Sequence, residues 1–332
     1  FRRVLFRSDI KNKYAGEAYF FRAWFYLDKV QMYGDVPLIT TPLETNSEDL
    51  YGSRTPRKKV MQNVLADIDK ACNYLPTSWG TSNEMRITKG AALALKSRIC
   101  LYEGTYRKYH ELGDYKEFLQ EAVNASEELM SLNLYKIYTT GNPKADYTTL
   151  FTSEDLTDNK EVILFRKYVT GLLGHRICGY LVASGNGATK DLIDDFLCIE
   201  SDGTAKPIAL SKSFNDDTYE NVLDNRDPRL TQIVLDPRHS KEILYNRSQY
   251  IFPRLAGMTG WESATGYHVI KYYIAVQDKK GYGNETHDAP LLRYAEVLLN
   301  LAEAKAELET ITQTDLNKTI NILRDRAGMP HL

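Results

Sequence analysis

The sequence predicts a mainly α fold in which TPR-like antiparallel helical pairs carry a large irregular α/β insert. Two observations support this prediction. Near both ends of the chain, apolar residues recur every three to four positions, which is the spacing of one face of a helix. Between 134 and 287 this spacing gives way to short β-type runs and Gly- and Asp-rich turns. We therefore expect helical portions at 1–133 and 288–332, with the insert at 134–287 and all three in one structural unit.

The first predicted helix spans 15–33 and is ended by Gly34. Its apolar stripe is broad, so we expect Trp24 and Phe25 to lie in the core. The stripe contains Phe20, Phe21, Trp24, Phe25, Leu27 and Val30.

Three further helices are predicted in the N-terminal portion, at 56–75, 88–109 and 114–131. Thr55 and Pro56 supply the start signal of the first of these. The starts of the first two lie about 32–33 residues apart, close to the roughly 34-residue TPR repeat. Short links between successive helices favour antiparallel neighbours.

The insert contains two β-type runs, at 161–169 and 267–276, and one short amphipathic helix, at 188–197. Such a long excursion between helices tends to carry function. Two more helices are predicted at 288–309 and 314–327, as a C-terminal pair that packs on the first portion. The residues expected to be buried between helices are Ala91, Leu95, Leu298 and Ala302.

Composition excludes several classes of protein. The chain has 332 residues, with 42 Lys and Arg against 44 Asp and Glu, and a formal net charge of -2. This balance gives no bulk electrostatic reason to bind nucleic acid or an anionic membrane surface. No apolar run reaches the roughly 18 residues that predict a transmembrane helix. The four cysteines form no C-x-x-C pair, so the sequence has no zinc-knuckle signature.

No catalytic or metal-binding motif is visible. The six histidines form neither H-E-x-x-H nor a helical i, i+4 pair. Two pairs of adjacent carboxylates occur, at 194–195 and 216–217, but adjacent side chains diverge and do not flank one glycosidic bond. We therefore predict no catalytic residues, no metal site and no cofactor.

Aromatic residues are the strongest candidates for ligand contact. The chain has 23 Tyr, and Tyr joins an apolar ring to a hydrogen-bonding tip. A sugar ring stacks its C–H face on a flat aromatic side chain, while its hydroxyl groups need polar partners nearby. Exposed aromatic residues in polar, irregular segments meet this requirement. The candidates chosen on this ground are Trp79, Trp261 and Tyr267.

Several motifs together resemble the SusD/RagB family. These are YGDVPL within 22–40, NRDPRL at 225–230, LRYAEVLLNLAEA within 290–308 and RDRAGMP within 320–330. Each motif alone is weak, whereas their order and spacing along about two thirds of the chain are specific.

The resemblance implies a fold of four TPR-like helical pairs carrying an irregular α/β portion. It also implies that Tyr180, in HRICGYLVASGN, lies in part of the binding surface, which adds Tyr180 as the fourth candidate for ligand contact. It implies a surface-exposed lipoprotein of the outer membrane of Bacteroidetes, which captures glycans, or sometimes peptides, for a TonB-dependent SusC-like transporter. The family's lipidated Cys and the segment after its RAG motif are not seen in this sequence. We therefore expect contact with the membrane only through a lipid anchor that lies outside these residues.

The function that we predict is non-catalytic capture of an oligosaccharide. A TPR-like scaffold that binds a protein or peptide is the alternative, because the helical pairs support it equally well. A glycosidase is a third hypothesis, and it requires two carboxylates that converge in a cleft. An aromatic surface on the insert favours glycan binding, whereas an apolar groove along the helices favours peptide binding.

Overall fold

The computed structural model describes residues 8–80, 85–183, 186–244, 254–255, 262–281 and 283–332. Its helices are α1 (Ser8–Tyr33), α2 (Arg57–Tyr74), α3 (Lys89–Tyr109), α4 (Tyr115–Ser131), α5 (Asp146–Phe151), α6 (Ile177–Ala183), α7 (Lys190–Asp195), α8 (Tyr219–Leu223), α9 (Leu230–Ile233), α10 (Ser240–Ile243), α11 (Ala275–Asp278), α12 (Tyr294–Glu307), α13 (Gln313–Lys318) and α14 (Ile320–Ala327). Its strands are β1 (Val162–Arg166), β2 (Cys198–Ile199), β3 (Ala205–Lys206), β4 (Arg254–Leu255), β5 (Glu262–Ser263) and β6 (Ala289–Arg293).

The prediction of a mainly α fold is confirmed. The described strands form only two-stranded sheets, in which β1 pairs with β6, β2 with β3 and β4 with β5. Within the described ranges, none of the helices combines the length and apolar character that a bilayer crossing requires.

The chain forms two compact units. The first unit comprises Phe1–Tyr135 and Leu292–Asp315, and the second comprises Lys136–Leu291 and Leu316–Leu332. The predicted C-terminal helical pair is divided between them, because α12 lies in the first unit and α14 in the second. In the second unit, Arg326 of α14 donates to the buried carboxylate of Glu161 at 2.7 Å, which holds α14 there. The predicted single structural unit stays a prediction.

The first unit packs its long helices directly on one another. Helix α1 packs on α2, α3 packs on α2 and α4, and α12 packs on both α3 and α4. Glycine permits the closest of these approaches, because a Cβ atom at Gly104 would lie 2.7 Å from Cδ2 of Leu119. The burial predicted from helical spacing is confirmed for Ala91, Leu95, Leu298 and Ala302.

One part of the α1 prediction is wrong. Phe25 is 53% exposed, not in the core, and Phe21 is 56% exposed. Trp24 is only half-buried, with the Arg98 guanidinium 5.7 Å from its ring centroid. The reason is geometric, because the helix buries a narrow stripe and residues one position along point about 100° away. The buried side chains of α1 include Phe20, Ala23, Tyr26, Leu27 and Val30.

The second unit joins short elements around three small apolar clusters. Representative buried members are Leu235, Ile193 and Phe151, one from each cluster. Hydrogen bonds from polar side chains link the segments that lie between the clusters. The guanidinium of Arg226, for example, donates to the carbonyls of Ile193 and Phe196, each at 2.6 Å, and of Val222 at 2.9 Å.

Among the predictions for the insert and the C-terminal helices, two elements are present with narrower bounds than predicted, and three predictions are wrong. The strand at 161–169 appears as β1, and the helix at 188–197 appears as α7. The run at 267–276 is not a strand, since it makes one isolated bridge at Val269 and ends in α11. The helix predicted at 288–309 begins only at Tyr294, after β6, and the one at 314–327 is split into α13 and α14.

The late start of α12 follows from contacts made by the residues just before it. The buried carboxylate of Asp288 accepts hydrogen bonds from the amides of Leu156 and Tyr168, at 3.0 and 3.1 Å. These bonds fix the chain at 288 on a neighbouring segment. Pro290 then disfavours helical geometry in the residue before it, so the backbone continues as a strand.

Candidate functional site

Tyr180 lies on an exposed, polar part of the second unit. It belongs to α6 and is 56% exposed. The Arg176 guanidinium lies 5.6 Å from its ring centroid, and Nδ2 of Asn186 donates to its backbone carbonyl at 2.8 Å. The exposed ring with a guanidinium near it has features that a sugar site needs, and the Asn186 carboxamide lies beside the backbone of the same residue.

The position of Tyr180 is set by the start of its helix. The amides of Cys178 and Gly179 donate to the carboxylate of Glu285, at 2.8 and 3.1 Å. Backbone N–H groups in the first turn of a helix otherwise lack partners, and a carboxylate there is also favoured by the helix dipole. Glu285, although distant in sequence, therefore caps the N-terminus of α6 and so fixes the position of Tyr180.

Tyr267 is half-buried, and one face of its ring is already covered. The ring stacks on Tyr219 with centroids 5.5 Å apart and planes at 29°. Both tyrosines pack against the apolar cluster that includes Ile193 and Val222. Tyr267 can therefore offer a ligand at most one face.

The segments that carry Tyr180 and Tyr267 run side by side. Nε2 of His268 bonds to the carbonyl of Leu181 at 2.9 Å, and because a carbonyl only accepts, this nitrogen carries the proton. The amide of Ala188 donates to the carbonyl of Tyr267 at 2.8 Å. Thus the backbone brings two of the four sequence-predicted aromatics to neighbouring segments.

The other two candidates lie elsewhere. Trp79 belongs to the first unit and is half-buried. Its Nε1 donates to the carbonyl of Ile87 at 2.7 Å, and the Arg86 guanidinium covers its ring at 3.6 Å from the centroid. These contacts give Trp79 a packing role. Trp261 lies outside the described residues.

A cleft of about 750 Å³ opens in the second unit. It gathers residues from two distant motifs, NRDPRL and RDRAGMP, which the sequence could not bring together. Its lining includes Tyr147, Asp195, Asp227, Arg229, Lys271 and Arg324.

The two carboxylates in this cleft do not behave as a catalytic pair. The Asp227 carboxylate accepts from Nε of Arg229 at 3.0 and 3.2 Å and from Nη2 at 2.5 Å. It also accepts from the Arg229 amide at 2.9 Å. A carboxylate enclosed in this way is fixed as an acceptor, so it is poorly placed to give a proton to a leaving group. Among the described residues that line the cleft, no other carboxylate then remains to pair with Asp195.

An apolar groove of about 810 Å³ lies on the first unit. It is lined along α1 by Phe21, Phe25 and Tyr33, with Pro37 and Leu43 opposite. The Lys29 ammonium lies 5.3 Å from the ring centroid of Phe25. The groove has the character that the protein-binding alternative requires.

Sequence reasoning missed the polar neighbours of Tyr180 and the groove on α1. Arg176 precedes Tyr180 by four residues, which is one helical turn, and this spacing was a usable signal. For the groove, the signal was the run of aromatics on adjacent positions of α1, since one helix face cannot bury them all. The cleft had no sequence signal, because residues about 100 positions apart line it.

Two family models match this chain. One, described as the SusD family, matches residues 179–332. The other, described as starch-binding and associating with the outer membrane, matches residues 5–101. Among curated proteins, SusD-like protein P2 of Formosa agariphila is 26% identical over 324 residues, covering 96% of this chain and 56% of that protein. SusD-like protein P38 of the same organism is 34% identical over 95 residues, which is 29% of this chain and 18% of that protein.

Solved structures are similar along nearly the whole chain. A SusD-like protein of Bacteroides fragilis has a TM-score of 0.71 and 25% identity, covering 99% of this chain and 64% of that one. A SusD-like carbohydrate-binding protein of the same species has a TM-score of 0.75 and 24% identity, covering 98% and 61%. A laminarin-binding SusD-like protein has a TM-score of 0.64 and 20% identity, covering 99% and 67%. The chain thus spans between about half and two thirds of the length of the relatives that it matches along its whole length.

Proposed function

The chain belongs to the SusD/RagB family, and on that premise we propose that it captures an oligosaccharide without cleaving it. The observation that carries this proposal is the exposed ring of Tyr180 beside Arg176 and Asn186. Two proteins of similar structure are described as carbohydrate-binding and as laminarin-binding, and we extend that class of ligand to this chain.

The binding energy would come from stacking and hydrogen bonds. One sugar ring on Tyr180 would contribute about 0.5–1.5 kcal/mol, by analogy with aromatic pairs. Each net hydrogen bond adds about 1 kcal/mol. Several such contacts give a weak, reversible complex, which suits a protein that must release its ligand to a transporter.

We propose binding without turnover because capture needs no acid, base or nucleophile. Asp227, enclosed by Arg229, supports this view. Incubation with laminarin oligosaccharides should therefore yield no new reducing ends above a boiled control. Shortened products would support the glycosidase hypothesis instead.

We further propose that the protein works at the outer membrane, on the cell surface, and passes its ligand to a TonB-dependent SusC-like transporter. One matching family model is described as associating with the outer membrane. The partner and the surface location rest on the family resemblance.

Titration of laminarin oligosaccharides, alongside a wider glycan panel, tests the binding proposal. Tyr180→Ala should weaken binding of whichever glycan binds by about 1–3 kcal/mol, the usual range for a central aromatic contact. Tyr51→Ala is the matched control, because Tyr51 is also exposed but lies in the first unit. If the two variants bind the glycan with equal affinity, Tyr180 is not part of the binding site.

The groove on α1 favours a second candidate function, which is binding of a protein or an apolar peptide. Phe21 and Phe25 are both about half exposed there, and exposed apolar patches commonly mark interaction sites. Phe25→Ser should lower the affinity for peptides selected from a random library and leave glycan affinity unchanged. Met32→Ser, at another exposed position of α1, is the control. Peptide binding that both variants retain would argue against the groove.

A further inference from the structure

Three metal-ligating side chains meet inside the second unit. They are His175, Glu285 and His287, and their donor atoms all lie within 4.8 Å of one another. Glu285 and His287 are each 1% exposed, and His175 is largely covered. A charged and polar cluster at this depth needs internal partners.

The backbone explains how these residues come together. His175 and Glu285 are opposite each other in an antiparallel bridge, with the His175 amide donating to the Glu285 carbonyl at 2.9 Å. His287 lies two residues further on, which places it on the same face of an extended segment as Glu285. The two segments can lie this close together only because residue 174 is glycine. A Cβ atom at Gly174 would lie 1.9 Å from the Gly283 carbonyl oxygen.

His175 presents a lone pair toward the carboxylate of Glu285. Its Nε2 bonds to the carbonyl of His287 at 3.0 Å, so that nitrogen carries the proton. Its Nδ1 then faces Oε2 of Glu285 at 3.3 Å. A metal ion between these two atoms could take both of them as ligands. The amide of Ile177 reaches the same Nδ1 in a long hydrogen bond of 3.2 Å, which a cation would replace.

The surroundings are those of a metal ligand set. Ligating histidines usually donate their second ring N–H to a carbonyl or carboxylate, as His175 does to the His287 carbonyl. Ligating carboxylates are usually held by further hydrogen bonds, as Glu285 is by the amides of Cys178 and Gly179.

His287 supplies the second, independent observation. Neither of its ring nitrogens has a hydrogen-bond partner among the described residues, although the side chain is buried. A buried imidazole without such a partner has a ring nitrogen that can accept a metal ion.

We propose that Nδ1 of His175, the carboxylate of Glu285 and one ring nitrogen of His287 bind a single zinc-like transition-metal ion. A tetrahedral ion with ligands at about 2.0–2.2 Å separates them by about 3.3–3.6 Å, which fits the 3.3 Å pair already present. The ring nitrogen of His287 lies within 4.8 Å of the other two donor atoms and would move toward the ion to complete the set. Two imidazoles favour zinc, copper or nickel over calcium or magnesium. This proposal departs from the sequence-based prediction of no metal site.

The ion would fasten the segment before α6 to the chain at 285–287. It would act in addition to the bonds that Glu285 already makes to the first turn of that helix. The metal would therefore stiffen the part of the second unit that carries Tyr180. The proposal does not depend on glycan binding, and its test uses no glycan.

The experiment uses the full chain, stripped with a chelator and titrated with Zn²⁺ alone. We expect one Zn²⁺ per chain, a Tm that rises with free Zn²⁺, as ligand linkage requires, and no competition from Ca²⁺. Co²⁺ at the same site should give the intense visible bands of a tetrahedral complex. His287→Phe, which keeps an aromatic ring, should lose more than about 100-fold in Zn²⁺ affinity, since even outer-shell partners account for about 10–100-fold.

His268→Gln is the matched control, because His268 is equally buried in the same unit but lies outside the cluster. It should keep wild-type Zn²⁺ affinity. If His287→Phe is too unstable to purify, Glu285→Gln and the stripped wild-type chain give the same test. The proposal is overturned if the wild-type chain binds less than one Zn²⁺. It is also overturned if every ligand variant binds Zn²⁺ as tightly as wild type.

Discussion

The two units of this protein are stabilised in different ways. In the first unit, long helices such as α2 and α3 bury continuous apolar stripes against their neighbours. In the second, most elements are shorter than eight residues. Its small apolar clusters are linked by the hydrogen bonds of buried polar side chains such as Arg226 and Glu161. Long helices define their own contacts, whereas short segments depend on hydrogen bonds to residues far away in sequence. Such short segments can therefore present side chains to a ligand.

The largest effect is expected from a charge placed in the helical core. Ala302→Asp sets a carboxylate between α12 and the helices it packs on, where Ala302 is buried. We expect a loss of about 5 kcal/mol in the free energy of unfolding, because a charge at a buried position loses its hydration. Ala306→Asp, at an exposed position of the same helix, is the control. Urea unfolding curves that coincide for the two variants would refute this packing.

Loss of one buried ion pair should lower the free energy of unfolding almost as much in the second unit. Glu161→Ala leaves the guanidinium of Arg326 buried without the carboxylate that it contacts at 2.7 Å. Removing one partner of a buried pair costs about 3–5 kcal/mol. Lys190→Ala breaks an exposed pair with Asp194 in the same unit and should cost less than about 1 kcal/mol. If both variants unfold at similar urea concentrations, the buried ion pair contributes no more to stability than the exposed one.

Two aromatic residues separate stability from binding. Trp79→Ala should lower the free energy of unfolding by about 1–3 kcal/mol, because it removes a half-buried ring and its bond to Ile87. It should leave glycan affinity unchanged. Tyr180→Ala should do the opposite, since its ring is mostly exposed. Melting curves and glycan titrations on both variants check the contrast, and a binding loss in Trp79→Ala would contradict it.

The smallest effects concern two carboxylates whose pKa values are both lowered to about 2. In the first unit, Lys305 and then Thr312 hold down the pKa of Asp315. In the second, Thr157 and then Lys167 do so for Asp155. A lowered folded-state pKa contributes stability above about pH 4, and that stability is lost as the pH falls toward 2.

The two carboxylates should differ in size of effect. Asp315 is 16% exposed, and Asp315→Asn should remove up to about 2 kcal/mol of acid-sensitive stability. Asp155 is 62% exposed, so water screens its contacts and Asp155→Asn should change stability by less than about 1 kcal/mol. Urea unfolding at about pH 5 and pH 3 measures both, and an equal loss would show that exposure does not decide the difference.

The long helices are predictable from the sequence because their signal is local. In α3, the positions of Ala91 and Leu95 follow from helical spacing alone, and both are buried as expected. The strand β6 is not predictable in this way, because the bonds of Asp288 that precede it reach residues 132 and 120 positions away. The exposure of Phe25 was missed because composition cannot say which side of an aromatic helix meets its neighbour.

The candidate site follows the same division. The family resemblance identifies Tyr180 as a candidate, and its role as a ligand contact stays a prediction. The stack of Tyr267 on Tyr219 joins positions 48 apart, and no pattern along the chain indicates it. The cluster of His175 with Glu285 and His287 likewise forms only when two distant segments pair.

The division of the chain between the units also has a consequence for synthesis. The first unit is completed only when α12 packs on α3 and α4, and Arg98 and Glu296, which join α3 to α12, are 198 residues apart. A ribosome adds about 5–20 residues per second, so about 10–40 s pass between the two. During that interval the second unit is being made while the faces of α3 and α4 lack their final cover. A nascent chain is therefore open to wrong association until α12 emerges, and a chaperone that shields this face would act in that interval.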